Sequence, residues 1–194
     1  PGCGCPDDVT PTPSWVGNRA LEVDPTFHSR LYSGYTCLFR SENEGGNWSW
    51  QSSIPCANET IVDLDFDATN RLWVTKGFHV YRQNSAFSSS FTDITSNLPV
   101  GTAVITGLAC SSSNSNISFA CFSGYADGTK VFETNDGGAT WFNISGYLPN
   151  VPLNCIVYQP NSHDGLYIGI DIGVFCYDTP IVLCTLLRNG MQSV

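Results

Sequence analysis

Apolar and polar residues alternate along most of the chain with a period of two. In Val62-Asp63-Leu64-Asp65-Phe66-Asp67 the apolar side chains take every second position and acids fill the others, as a strand with one covered face requires. Helical spacing is nearly absent. Short apolar runs end in clusters of Gly, Asn, Asp and Ser, which are turn formers. Four segments share one order: strand, polar turn, strand, short turn, strand, Asn/Gly turn, strand. Val23, Phe66, Ala109 and Tyr158 fall at equivalent places, with spacings of 43, 43 and 49 residues.

A period near 45 filled by about four short strands is that of a propeller blade. The sequence therefore predicts an all-β fold, β-propeller-like, with about four four-stranded blades over residues 16–58, 59–99, 100–149 and 150–194. Residues 1–15 are Cys- and Pro-rich and aperiodic, and read as an N-terminal arm or linker. The Ser-rich stretch Asn84–Ser90 reads as a loop within the second repeat. The chain opens at Pro1 without a signal peptide and stops just after Asn189-Gly190-Met191. It reads as a processed chain, as a four-blade unit, or as part of a larger propeller.

Two turns have the same chemistry. Ser41, Asn43, Gly45 and Trp48, and Thr134, Asp136, Gly138 and Trp141, both fit [ST]-x-[DN]-x-G-x-x-W. The side-chain oxygen at the third position can accept turn amides, the glycine permits positive φ, and the tryptophan folds back over the hairpin. This motif resembles the Asp-box of sialidase-like and sortilin-like propellers. From Ile117 onward, through the Gly124-Tyr125 turn, Asn143-Ile144-Ser145-Gly146 and Gly165-Leu166-Tyr167-Ile168-Gly169, the chain is similar to the BNR/YVTN-type repeats of large secreted Bacteroidetes proteins. The resemblance implies a structural role for the box residues.

Charge and cysteine narrow the setting. Only 13% of residues are charged, with 8 basic against 17 acidic, which disfavours nucleic acid or anionic lipid as a partner. No apolar run reaches the roughly 18 residues that a membrane helix needs. Nine cysteines without zinc spacing point to an oxidising compartment, extracellular or cell-surface. Cys176 and Cys184 flank a hairpin centred on Pro180 and are the expected disulfide; Cys37–Cys56 and Cys110–Cys121 are further candidates. Cys3 and Cys5 are the expected links to other molecules. Sequons at Asn47, Asn58, Asn116 and Asn143 are glycosylation candidates.

Nothing in the sequence assembles a catalytic constellation. Asp24, Asp67 and Asp171 are glycosidase-type carboxylates that no pattern pairs. The six arginines sit at unmatched places in their repeats, unlike a sialidase cluster. His28, His79 and His163 lack metal spacing. Asp63, Asp65 and Asp67 would line one strand face about 6.6 Å apart, which makes them Ca²⁺ candidates. Tyr35, Trp50, Phe78, Tyr81, Tyr125 and Tyr147 include candidate platforms for glycans or proteins. The expected function is a non-enzymatic extracellular propeller acting through protein–protein contacts, as a structural, adhesive or filament/surface-assembly subunit. Its expected partners are further copies of itself, other surface proteins, or glycans. A carbohydrate-binding module or glycoside hydrolase-like propeller is the alternative.

Overall fold

The computed structural model describes residues 20–178 and 182–184, apart from 52, 57–58, 102, 147 and 161–164; for 178 and 182–184 it describes backbone only. The described residues form four antiparallel sheets of four strands each, every sheet built from consecutive strands in order. Sheet 1 holds β1 (Ala20–Val23), β2 (Leu31–Gly34), β3 (Leu38–Ser41) and β4 (Ser49–Trp50). Sheet 2 holds β5 (Ile61–Phe66), β6 (Leu72–Lys76), β7 (His79–Gln83) and β8 (Phe91–Asp93). Sheet 3 holds β9 (Ile105–Cys110), β10 (Ser118–Phe122), β11 (Val131–Thr134) and β12 (Phe142–Asn143). Sheet 4 holds β13 (Leu153–Gln159), β14 (Gly165–Ile170), β15 (Gly173–Asp178) and β16 (Val182–Cys184). No helix among the described residues is long and apolar enough to cross a membrane.

The sheets stack in chain order through their first strands, β1 on β5, β5 on β9 and β9 on β13. Three cores lie between them. Tyr32, Leu38, Leu64, Phe66 and Val74 join sheets 1 and 2. Trp73, Val80, Leu108, Phe122, Phe132 and Trp141 join sheets 2 and 3. Phe119, Cys121, Val131, Ile156, Leu166 and Ile168 join sheets 3 and 4. Central strands β6 and β10 are buried along their whole length, because neighbouring sheets cover both of their faces.

The repeat register differs by one residue from the sequence alignment in the third unit. The turn after the first strand closes through Asp24 N to Arg30 O, Asp67 N to Arg71 O and Ser111 N to Ile117 O. Val23 and Phe66 therefore correspond to Cys110 rather than Ala109. A one-residue slip reverses the face: Cys110 packs toward sheet 2, whereas Ala109 packs toward sheet 4.

Candidate functional site

The two box turns have one hydrogen-bond scheme. Ser41 Oγ donates to Asn43 Oδ1 at 3.0 Å and accepts Gly45 N at 2.9 Å, and Asn43 Oδ1 accepts Asn47 N at 2.8 Å. Thr134 Oγ1 donates to Asp136 Oδ1 at 2.8 Å and accepts Gly138 N at 2.8 Å, and Asp136 Oδ1 accepts Thr140 N at 2.9 Å. Bonds from the Thr140 hydroxyl and amide hold the Asp136 carboxyl down at about 2. Gly45 and Gly138 have φ of 90° and 91°. The tryptophans part company. Trp48 Nε1 donates to Gly45 O within its own turn. Trp141 Nε1 donates to Ile94 O at 3.0 Å, in the chain leaving sheet 2, and its ring meets Trp73 edge-on at 6.4 Å. A Cβ on Gly138 would lie 2.5 Å from Ile94, so this turn is pressed against the preceding sheet.

A second repeated device lies at the opposite turn. Asp24 Oδ1 accepts Thr26 N at 2.8 Å and Phe27 N at 3.0 Å, and its Oδ2 pairs with Arg30 at 3.2 Å. Asp67 Oδ1 accepts Thr69 N at 2.8 Å, while its Oδ2 pairs with Arg71 and accepts Trp73 Nε1 at 3.0 Å. Ser111 Oγ does the same work with Ser113 N and Asn114 N. Asp24 and Asp67 are buried turn caps. Burial pushes their pKa values up, but the hydrogen bonds outweigh it and hold both down. Arg30 and Arg71 thus occupy matched positions, contrary to the sequence reading. Asp171 is exposed and accepts Asn154 Nδ2 at 2.7 Å.

Asp63 and Asp65 bridge sheets. Asp63 Oδ2 accepts Leu108 N at 2.8 Å and Asp65 Oδ2 accepts Cys110 N at 2.6 Å. Their other oxygens accept Leu64 N and Phe66 N. These bonds satisfy backbone groups on the edge of β9 that no ladder partner reaches. Of the calcium candidates, Asp63 and Asp65 therefore spend their oxygens on backbone amides, and Asp67 spends its own on its turn, Arg71 and Trp73. No group of metal-ligating side chains stands together among the described residues. His79 pairs with Asp93 at 2.8 Å and stacks on Tyr81; His28 is exposed, and His163 lies outside the described residues.

The Cys37–Cys56 disulfide is present. Cys110 and Cys121 are both buried free thiols, which overturns that candidate bridge. Cys110 pairs with Ser118 and Cys121 with Gly107, three rungs apart, so the two sulfurs lie on opposite faces of sheet 3. Cys176 stands opposite Cys184 in register as the hairpin spacing suggests, yet Cys176 carries a free thiol. Asn47, Asn116 and Asn143 are exposed; Asn58, Tyr147, Cys3, Cys5 and the whole arm 1–15 lie outside the described residues. Lys76 and Lys130 are buried: Lys76 Nζ donates to Thr36 O and Pro55 O, and Lys130 Nζ to Gly124 O.

Among the described residues, four sheets with three cores leave two faces uncovered. Register places Leu21, Phe39 and Trp50 in one row on the outside of sheet 1, with Val23 and Leu31 in the next. Leu21 is 61% exposed and Trp50 46%. The outside of sheet 4 carries Cys155, Val157, Tyr167, Val174 and Cys176, with Val157 57% exposed. Exposed apolar side chains grouped in this way, with Ser33 and Gly169 set among them, mark contact surface. Elsewhere Tyr35 and Tyr125 are exposed at turns, whereas Phe78 and Tyr81 are half-buried. The sequence reading missed Phe27 and Phe87, which meet edge-on at 5.2 Å with Arg30 lying 4.4 Å over Phe87. The positive φ of Phe87, 65°, is the signal, and only the structure contains it.

No family model and no curated protein matches the chain. Solved structures do. The GH74 enzyme of Niastella koreensis superposes with a TM-score of 0.61 at 16% identity, over 81% of this chain and 28% of that one. The GH74 xyloglucanase of Xanthomonas campestris gives 0.62 at 16%, over 85% and 28%. YCF48 from Cyanidioschyzon merolae gives 0.62 at 14%, over 83% and 50%. The fold matches a portion of these β-propellers. Each sheet corresponds to a blade, and the chain spans half or less of these structures. At such identities the likeness shows the fold alone.

Proposed function

We propose that this propeller is a non-enzymatic extracellular module that works through protein–protein contacts, as a structural, adhesive or surface-assembly subunit of the kind found in large secreted Bacteroidetes proteins. The observation that carries this reading is the pair of apolar blade faces, Leu21, Phe39 and Trp50 at one end and Val157, Tyr167 and Val174 at the other. Each is a surface of the type that blades bury against one another. A head-to-tail contact between them extends the blade array into an assembly. The Cys37–Cys56 disulfide and the exposed sequon asparagines Asn47 and Asn116 support an extracellular setting. Light scattering across concentration tests the reading. The chain should associate reversibly, and Leu21→Lys or Val174→Lys should reduce association at least tenfold without lowering the melting temperature. A wild-type chain that stays monomeric at high concentration overturns it.

A second reading, carbohydrate binding, is favoured by the exposed Phe27–Phe87 pair with Arg30 stacked on it. Glycan-array binding abolished by Phe87→Ala would establish it; a blank array would remove it.

A further inference from the structure

Arg40 and Arg82 are a matched pair. Each stands in register opposite an aromatic residue of the second strand of its blade, Tyr32 and Trp73. Each donates Nη1 to a carbonyl in the third turn of the next blade, Phe87 O and Gly137 O, and both acceptor residues have positive φ, 65° and 71°. Each blade adds the arginine of its first turn, Arg30 in blade 1 and Arg71 in blade 2, held by the turn carboxylates Asp24 and Asp67.

The two junctions differ in their second carboxylate. In blade 1 Glu42, two residues past Arg40, sets one oxygen 2.9 Å from Arg30 Nε and the other 2.9 Å from Arg40 Nε. Two residues past Arg82 stands Asn84, whose Oδ1 accepts the Thr92 hydroxyl at 2.6 Å. Arg82 forms no ion pair among the described residues. Gly137 O is the one acceptor of its guanidinium there, its Nε is buried without a partner, and the group lies 5.6 Å over the Trp73 ring. Burial and then the Arg71 charge push its pKa down. Two arginines thus meet two carboxylates at the first junction and one at the second, which leaves a partly desolvated positive charge unbalanced. Arg71 Nη2 donates to Ser115 O at 3.3 Å, and the flanking Asn84 and Asn116 are exposed, so the junction opens to solvent.

We propose that the Arg71–Arg82 junction binds a glutamate side chain of a partner protein. A guanidinium fork takes a carboxylate through paired in-plane hydrogen bonds. Blade 1 fills the matched position with a glutamate of its own turn, which favours polypeptide over an acidic glycan as the source. The site lies between blades 2 and 3, apart from the apolar end faces of sheets 1 and 4, and stands or falls independently of them.

Calorimetric titration of the full chain at low salt with acetyl-Gly-Glu-Gly-Glu-Gly-amide, its glutamine counterpart and trigalacturonate tests this, with melting temperature as a check of folding. Expected are saturable one-site binding of the glutamate peptide that weakens as salt rises, binding about tenfold weaker for the glutamine peptide, and weaker binding of trigalacturonate. Arg82→Gln should abolish binding of the glutamate peptide. Because Arg82 also clamps the box turn, Asn84→Glu is the second variant. It sets a carboxylate where Glu42 stands in blade 1, and should weaken peptide binding about tenfold at an undiminished melting temperature. No saturable binding of the glutamate peptide, equal binding of the glutamine peptide, or wild-type binding by folded Asn84→Glu overturns the proposal. Tighter binding of trigalacturonate overturns the protein partner and assigns the junction to acidic glycans.

Discussion

Asp65 accepts the Cys110 amide at 2.6 Å, tying the first strand of one blade to the first strand of the next. The bond is made by a carboxylate that burial pushes up to about 6, against the pull of that same amide. Glu22, one blade earlier, is raised to about 7 by burial and then by Asp65 and Asp63. Both groups hold protons more tightly folded than unfolded. Their stabilising contribution is full below the unfolded pKa and is lost as pH rises through 6 to 7. Asp24 and Asp67 are shifted the other way, so their contribution is lost as pH falls below the ordinary carboxylate range. Thermal unfolding should therefore be most resistant near pH ~4, where the two limbs meet. Glu22→Gln should flatten the alkaline limb. A melting temperature that climbs from pH 5 to pH 8 would contradict the assignment.

Removing Asp67 should cost far more than removing Asp171. Asp67→Ala strips partners from the Arg71 guanidinium and the buried Trp73 indole together, a loss of about 3 kcal/mol or more. Asp67→Asn should recover part of it. Asp171→Ala, at an exposed turn, should stay within about 0.5 kcal/mol of wild type. Urea unfolding separates the three.

The two box tryptophans should differ in the same assay. Trp141→Ala empties a crevice between blades and should cost about 3–5 kcal/mol. Trp48 is half-buried and bonds only within its own turn, so Trp48→Ala should cost no more than about half as much. Equal losses would mean that the box turn itself, not the inter-blade contact, carries the energy.

Thiol chemistry should sort the cysteines. Cys155 is exposed, whereas Cys110 and Cys121 are buried, with burial pushing the Cys121 thiol up to about 12. Iodoacetamide at pH 8 should alkylate Cys155 in the native chain and reach Cys110 and Cys121 only after unfolding, as peptide mass mapping will read. Reducing Cys37–Cys56, which closes a sequence separation of 19, should cost about 3 kcal/mol.

Period-two alternation and the turn residues made the four-sheet fold legible, because each blade writes its strands locally. The box motifs were equally legible, since Ser41 to Trp48 and Thr134 to Trp141 are continuous in sequence. What stayed hidden depends on the neighbouring blade. Asp63 and Asp65 look like a ligand set until β9 supplies the amides that they bind. Asp24 and Asp67 look like catalytic acids until Arg30 and Arg71 close on them. The Cys110–Cys121 pairing failed because an eleven-residue spacing says nothing of the three-rung offset between β9 and β10.

Lys76 and Lys130 are the only lysines of the chain, and both ammonium groups are turned inward onto backbone carbonyls. The surface thus presents no lysine side chain to an acylating reagent or to an enzyme that modifies lysines. Among the described residues, decoration or cross-linking through side chains is left to carboxylates, hydroxyls, amides and the Cys155 and Cys176 thiols. Among the described residues the arginines are half-buried, and their charge does not change with pH across the range in which the acidic blade junctions titrate.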